Sequence, residues 1–299
     1  MRVYAGIVTY NADIERLAEN VCAVLPQVER VIVFDNGSDN VDDIAYLLEG
    51  GRDHVTLLRS KENKGMAKAL NVLCRTAKDE GADHMLLLDQ DSVVAPGFVS
   101  ILANYIDEGR GLIVPLFQDR NEVVEREMEH EYEEVSMAIT SGALSNLRAW
   151  EDVGGYDENL FVDWVDYEYC DALLLHGYKI LKVRDAELIH EIGKKEYKRM
   201  CWTFSIHRGF FRCPLYQTDR PFIRRYDIMR AHKYVSMKYR GTSLGKHEEW
   251  MLVYDILRNL VRERKRGQFV HAASKGIVDG WRLAKRAHAH GGKAKLVDK

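Results

Sequence analysis

The chain contains no apolar run near the roughly 20 residues of a membrane-spanning helix. Its longest candidates, such as Met85-Leu86-Leu87-Leu88, are strand-sized, so no helix that crosses a bilayer is expected. Met1-Arg2 leads straight into a strand-like run, without the apolar stretch and small-residue cleavage site of a signal peptide. Cysteines number five (Cys22, Cys74, Cys170, Cys201, Cys213), an odd count with no Cys-x-x-Cys pair. Neither a zinc site nor a disulfide framework is expected, and a reduced, cytoplasmic protein is. An excess of one charge is missing as well. Against 46 Asp and Glu stand 43 Lys and Arg, a net −3, which excludes a global nucleic-acid footprint; no nucleic-acid partner is expected. No internal repeat or low-complexity linker occurs. What is present is 299 residues with 46% hydrophobic and 10% aromatic side chains. That is ample for one large α/β domain or two modest ones, and it excludes a disordered chain.

Charge is unevenly placed along the chain. Residues 255–299 carry 12 Lys and Arg against 4 Asp and Glu, a balance of +8, and the residues before them total −11. A basic tail on an acidic body suits contact with an anionic surface, and equally a solvated helix face.

Residues 2–9, 30–34, 54–58 and 85–88 read as buried strands, with a further strand at 112–116. Between them lie helical patterns: Ile14, Leu17, Val21 and Val24 after the turn and cap residues Asn11 and Asp13; then Met66, Leu70, Leu73 and Ala77 after a capping Asn63; then a helix after Pro96. The alternation predicts a mostly parallel sheet with helices on both faces. Polar clusters follow the strand ends at Asp35 and Asp89, the edge where open α/β sheets bind ligands. Residues 122–134 are acid-rich without a clear pattern, and 140–155 hold several small residues. Asp163 can cap a helix ending at His176-Gly177, and 178–183 form a strand. From Tyr226 onward the pattern is mainly helical, with amphipathic stretches at 248–266 and 274–288.

The sharpest chemical signal is Leu88-Asp89-Gln90-Asp91-Ser92. An apolar strand delivers two carboxylates into its C-terminal turn, where both can converge on one hard cation, Mn²⁺ or Mg²⁺. The same residues also suit an Asx-turn that ends a strand. Asp35-Asn36-Gly37-Ser38 follows another strand on the same edge, where Asp can accept from a ribose or base and Gly lets backbone approach; a plain turn fits too. Asn63-Lys64-Gly65 opens a helix whose N–H groups can face an anion, although the spacing is neither a P-loop nor Gly-x-Gly-x-x-Gly. Asp163, Asp166 and Glu168 crowd a helix start. The dipole there lowers a carboxylate pKa, so a base among them needs apolar or acidic surroundings. His190 matters if the fold brings it to the Asp89–Asp91 pair, where an imidazole could complete a metal shell.

Taken in order, these segments resemble the family 2 glycosyltransferases of GT-A fold. The first-strand Val8-Thr9-Tyr10-Asn11, the turn Asp35 to Asp39, the Asn63 to Asn71 helix and the Asp89-Gln90-Asp91 motif carry the likeness. Residues 154–170, Gly177 to Ile180, His190 to Gly193 and Lys275 to Gly280 are closest to the bacterial rhamnosyltransferase branch, which commonly has Arg where Ala172 stands. The resemblance implies an inverting, metal-dependent glycosyltransferase with a catalytic GT-A domain at 1–215 (nucleotide half 1–115, acceptor half 116–215) and a helical region at 216–299. Donor contacts fall to Thr9, Asn11, Asp35, Asn36, Asn63, Gly65, Asp89 and Gln90, metal contacts to Asp89, Asp91 and His190, and the role of catalytic base to Asp166. Trp164, Asp163 and Glu168 are placed at the acceptor. The expected donor is dTDP-L-rhamnose, with UDP-glucose, UDP-galactose or UDP-galactofuranose as alternatives. The acceptor is a saccharide or lipid-linked saccharide in surface polysaccharide synthesis. The C-terminal helices, with Trp281, would touch the inner face of the cell membrane or form a homodimer. Two other readings of the same residues are a phosphohydrolase that uses Asp89 as nucleophile and a non-catalytic binding scaffold.

Overall fold

The computed structural model describes residues 1–51, 53–119, 128, 130–190, 196–205, 209–217 and 221–289. They form two compact units, Met1–Ile192 and Gly193–Leu296.

The first unit is a nine-stranded sheet with helices on both faces. Strand β1 (Val3–Thr9) is buried along its whole length, as expected of a strand covered on both sides. It pairs in parallel with β2 (Arg30–Asp35) and β4 (His84–Asp89), and β2 pairs in parallel with β3 (Val55–Arg59). This is the parallel half that the apolar runs predict. The other half is mixed. β8 (Ala143–Asn146) lies antiparallel between β4 and β6 (Arg110–Asp119), and β9 (Lys179–His190) runs parallel to β6. β5 (Val93–Val94) and β7 (Tyr132–Val135) pair antiparallel with β9.

Helices α1 (Ile14–Val24), α2 (Val41–Leu48) and α4 (Phe98–Ala103) bury Leu17, Val21, Ile44, Phe98 and Leu102 against Val3, Ala5, Ile7, Val31, Val33 and Leu86. Asp13 caps α1 by accepting from the Glu15 and Arg16 N–H groups at 3.0 and 3.1 Å. α3 (Met66–Asp79) covers the opposite face, where Leu73 closes on Gly6. α5 (Leu147–Asp152) follows β8, and α6 (Val165–Leu175) brings Tyr169 to Ser145.

Two expected caps are displaced. Gly65, not Asn63, is the N-cap of α3, and Trp164, not Asp163, is the N-cap of α6; neither helix start has a side-chain cap bond. At Trp164 the backbone sits at φ +70°, a conformation costly for a bulky residue and held by its surroundings.

The second unit joins a hairpin, β10 (Glu196–Ser205) and β11 (Gly209–Gln217), with α7 (Phe222–Lys238), α8 (Ser243–Arg262) and α9 (Arg266–Ala289). The division expected at residue 215 falls inside this unit. The hairpin escapes a period-2 reading because its register shifts between Tyr197 and Arg199. α9 begins eight residues before the expected 274, since Phe269, Ala272 and Ala273 already face inward. Met229, Leu252, Phe269 and Ala273 form the core, and Arg225 with Glu263 makes a buried ion pair at 2.6 Å. Among the described residues no helix is long and apolar enough to cross a membrane.

α7 and α9 approach closely at Gly276 and Gly280. A Cβ on Gly276 would lie 2.6 Å from the Tyr226 carbonyl oxygen, and one on Gly280 would overlap the Arg230 carbonyl. Neither backbone oxygen can swing aside as a flexible side chain would. Gly280→Ala is therefore expected to destabilise the protein by about 1–3 kcal/mol in chemical denaturation. Gly267→Ala, with open space around it, should cost nothing; equal effects of the two would refute the close-packing account.

Candidate active site

The site is built by register. Thr9 lies opposite Asp35 and Val8 opposite Asp89, so the three strands release their polar ends at one edge. Asp35 is fully buried. Its Oδ2 accepts from the Gly37 and Ser38 N–H groups at 3.2 and 3.1 Å, and its Oδ1 accepts from the Thr9 hydroxyl at 3.3 Å. Asn11 joins the same loop: its N–H donates to the Ser38 hydroxyl and its Oδ1 accepts from the Asp39 N–H, both at 2.8 Å.

Asn36 and Asn63 bond to one another. The Asn36 amide donates to Asn63 Oδ1 at 3.1 Å, and its Oδ1 accepts from the Lys64 N–H at 2.9 Å. Asn63 Oδ1 also accepts from Gly65 N–H. Gly65 has φ +86°, and a Cβ there would sit 2.7 Å from the Phe161 carbonyl oxygen, which accepts the first N–H of α3. The start of α3 is thus tied to the loop before α6, and its Met66 N–H is spoken for. Asn71, one turn and more along α3, continues the tie. It donates to the Tyr156 carbonyl and accepts from Tyr156 N–H, both at 2.8 Å, and accepts from Trp150 Nε1 at 3.1 Å.

Asp89, Gln90 and Asp91 form the turn between β4 and β5. Asn20 donates to the Asp89 carbonyl at 2.7 Å, and Gln90 accepts from Tyr10 N–H at 2.9 Å, fixing the turn against the end of β1. Asp91 is exposed and Asp89 half-buried. Ile189 pairs with Val93, and continuing that antiparallel register sets the backbone of residue 190 across from Ser92, one residue from Asp91. The His190 side chain lies outside the described residues. Among those described, no group of three His, Cys, Asp or Glu side chains forms a ready metal cluster.

Thr140 and Ser141, which sequence reasoning registered only as small residues, join the two acidic segments. The Ser141 hydroxyl accepts from the Asp89 N–H at 3.1 Å and bonds the Ser92 hydroxyl at 2.8 Å, while the Thr140 hydroxyl donates to Asp166. Burial pushes the Asp166 carboxyl up to about 6. The Thr140 hydrogen bonds oppose the shift, and the nearby charges of Asp89 and Asp163 add to it. Trp164 packs edge-on to Tyr167, with centroids 5.6 Å apart. Glu168 is only 1% exposed. Ala172 is buried as well. A pocket of ≈ 260 Å³ opens next to the carboxylate's neighbours, lined by Val114, Leu116, Met137, Ile139, Tyr167 and Lys182.

The model of the family "Glycosyl transferase family 2" matches residues 4–161. The dTDP-rhamnosyl transferase RfbF of Shigella flexneri is 31% identical over 224 residues, 69% of this chain and 74% of that protein. Among solved structures, the mannosyltransferase PcManGT from Pyrobaculum calidifontis, in complex with GDP-Man and Mn²⁺, aligns with a TM-score of 0.58 at 16% identity. The alignment covers 99% of this chain and 81% of that one. S. aureus TarS 1-349 in complex with UDP-GlcNAc gives 0.58 at 14% identity, covering 97% and 92%. At these identities both likenesses speak to the GT-A fold.

The raised Asp166 pKa has a consequence for stability. Unfolded, the carboxyl titrates near 3.8; folded, near 6, so the folded state binds its proton more tightly. Stability is lost as pH rises from about 4 through 6, and the full penalty is present above that. Asp166→Asn should therefore stabilise the protein by ~1–3 kcal/mol at pH 8 and by little near pH 4, measured by denaturant titration at both pH values. A gain that does not depend on pH would refute a strained carboxylate.

Proposed function

Because the chain belongs to glycosyl transferase family 2, we propose that it moves L-rhamnose from dTDP-L-rhamnose to a hydroxyl of a saccharide or lipid-linked saccharide. The transfer inverts the anomeric centre, acts in the cytoplasm and serves surface polysaccharide synthesis. The carrying observation is the Asp166 carboxyl, buried beside Asp89 and held by Thr140, with a pKa brought to about 6. A carboxylate so placed is ionised at neutral pH yet basic enough to take a proton from an attacking hydroxyl. Family membership sets aside the phosphohydrolase and scaffold readings. The sugar rests on the 31% identical relative, and the UDP-sugars named above are what the test must exclude.

Each group has a part in this reading. Asp35 at the end of β2 and Thr9 at the end of β1, bonded to one another, hold the turn after β2 in the shape that meets the nucleoside. Asn36, Asn63 and Gly65 through their mutual bonds, Asn11 through Ser38 and Asp39, and Gln90 through Tyr10 shape the loops around the nucleoside. The hard oxygens of Asp89 and Asp91 suit Mn²⁺ or Mg²⁺, with His190 as the third candidate ligand; the exposure of Asp91 fits that role. A divalent cation held there would supply positive charge to the diphosphate leaving group. Asp166 takes the proton of the acceptor hydroxyl, and that oxygen attacks the anomeric carbon from the face opposite the diphosphate. The pocket beside Tyr167 and the Asp163–Trp164 strap then position the acceptor.

The test is a donor-turnover and binding screen with dTDP-L-rhamnose, UDP-glucose, UDP-galactose and UDP-galactofuranose, with and without Mn²⁺. Expected is metal-dependent use of dTDP-L-rhamnose, abolished in Asp91→Ala. Asp166→Asn should keep donor binding and lose about 10²–10⁴ in kcat, and the wild-type rate should fall as pH drops below about 6. Turnover of a UDP-sugar instead reassigns the donor; binding of no nucleotide sugar overturns the reading.

A further inference from the structure

Helix α8 buries one apolar row, Leu252 in the core with Ile256 and Leu260 packed against it, and carries a second on its outer face. Its acids Glu248 and Asp255 are buried, 6% and 9% exposed, on either side of the fully buried His232 of α7. Glu263, just past its end, is buried on Arg225. The second apolar row points outward: Trp250 is 67% exposed, Leu257 60%, Val253 55%, Val261 45% and Tyr254 42%. At 3.6 residues per turn these five fall within an arc of about 100°. The Trp250 and Tyr254 rings are stacked, 6.1 Å apart and within 4° of parallel.

The two ends of this stripe are cationic. Lys246, Arg264, Lys265 and Arg266 are exposed, and Arg258, though paired with Asp255 at 2.6 Å, is still 40% exposed. The exposed acid, Glu249, is 3.1 Å from Lys233. Apolar and aromatic side chains flanked by Lys and Arg are the composition of a helix that lies in the plane of an anionic membrane surface. A second copy of this chain is a poorer fit, because a two-fold contact would set cationic ends against each other. The sequence alone pointed to the tail after 270 and to Trp281, but the Lys285 ammonium stands 3.7 Å over the Trp281 ring and the longer apolar stripe is on α8.

We propose that the outer face of α8 docks on a bilayer containing anionic lipid. Trp250, Val253, Tyr254, Leu257 and Val261 enter the head-group region, and Lys246, Arg264, Lys265 and Arg266 meet lipid phosphates. This goes beyond the transfer reaction and stands whichever sugar is used.

The test is co-sedimentation of the full chain with vesicles of phosphatidylglycerol plus phosphatidylcholine and with vesicles of phosphatidylcholine alone, at low and high salt. Sedimentation velocity is run without lipid. Expected is binding to the anionic vesicles that weakens at high salt and is about tenfold weaker on phosphatidylcholine. Leu257→Glu should lower it by about tenfold, and the double change Arg264→Glu with Lys265→Glu by as much. Thermal melts of the variants should match the wild type, since these positions are solvent-facing. Overturning results are equal binding to both vesicle types, binding unchanged in the variants, or a dimer that Leu257→Glu dissociates with no vesicle binding by the wild type. None of these readouts needs turnover, so the donor reading and this one fail separately.

Discussion

The parallel register of β2, β1 and β4 is the constraint on which the site depends. β1 is buried on both faces, and a Cβ at Gly6 would overlap the Met85 side chain and lie 3.1 Å from Leu73, so a one-residue slip would force a larger side chain into space that only glycine fits. With the register fixed, Thr9 must stand beside Asp35 and the Asp89 turn must leave the sheet at the same edge. The contacts that matter are anchored there: Thr9 on Asp35, Gln90 on Tyr10, Asn20 on the Asp89 carbonyl. Asp35 is no free hand reaching for a ligand. It spends one oxygen on the turn that follows it and the other on Thr9, and presents that turn in a fixed shape.

The second half of the sheet brings the base to this edge. Gly142 N–H donates to the Leu87 carbonyl at 2.7 Å, which lays 140–142 along the end of β4. Ser141 then holds the Asp89 turn and Thr140 holds Asp166. The position of Asp166 in the first turn of α6 sets two effects against each other. A helix N-terminus favours the carboxylate by about 0.3–1 kcal/mol. Lifting the pKa from 3.8 to about 6 corresponds to ~3 kcal/mol in the other direction. Burial and the neighbouring acids outweigh the dipole.

The legible parts of the sequence were those with a strong local period. β1 to β4 are continuous apolar runs, and the Asp residues that close β2 and β4 stand out at their ends. β8 is four residues long, Ala-Leu-Ser-Asn, too short to carry a period, yet it joins the two halves of the sheet. The helix starts differ from the expected caps because Asn63 and Asp163 have capping chemistry, whereas Gly65 holds its conformation through its long-range contact with Phe161 and Trp164 sits at positive φ. The same holds for Cys201 and Cys213. Twelve residues apart they look scattered, but the β10–β11 register sets them directly opposite one another. Thr140 and Ser141 carry no motif at all; only the folded sheet gives them two acidic segments to join.

A buried carboxylate serves two ends in this chain, and its neighbours decide which. In the second unit Glu263 is buried against the Arg225 guanidinium. Such a pair compensates the loss of hydration and leaves the acid as a fastener, costly to break from one side. Asp166 is buried too, but the groups that set its pKa are a threonine and two further acids. With hydrogen bonds to Thr140 and no cation among those groups, the unfavourable energy of its charge stays in the folded protein as proton affinity. In sequence both are acids on helices or at their ends; what separates a fastener from a base is the sign of the charge across the contact, which depends on the tertiary fold.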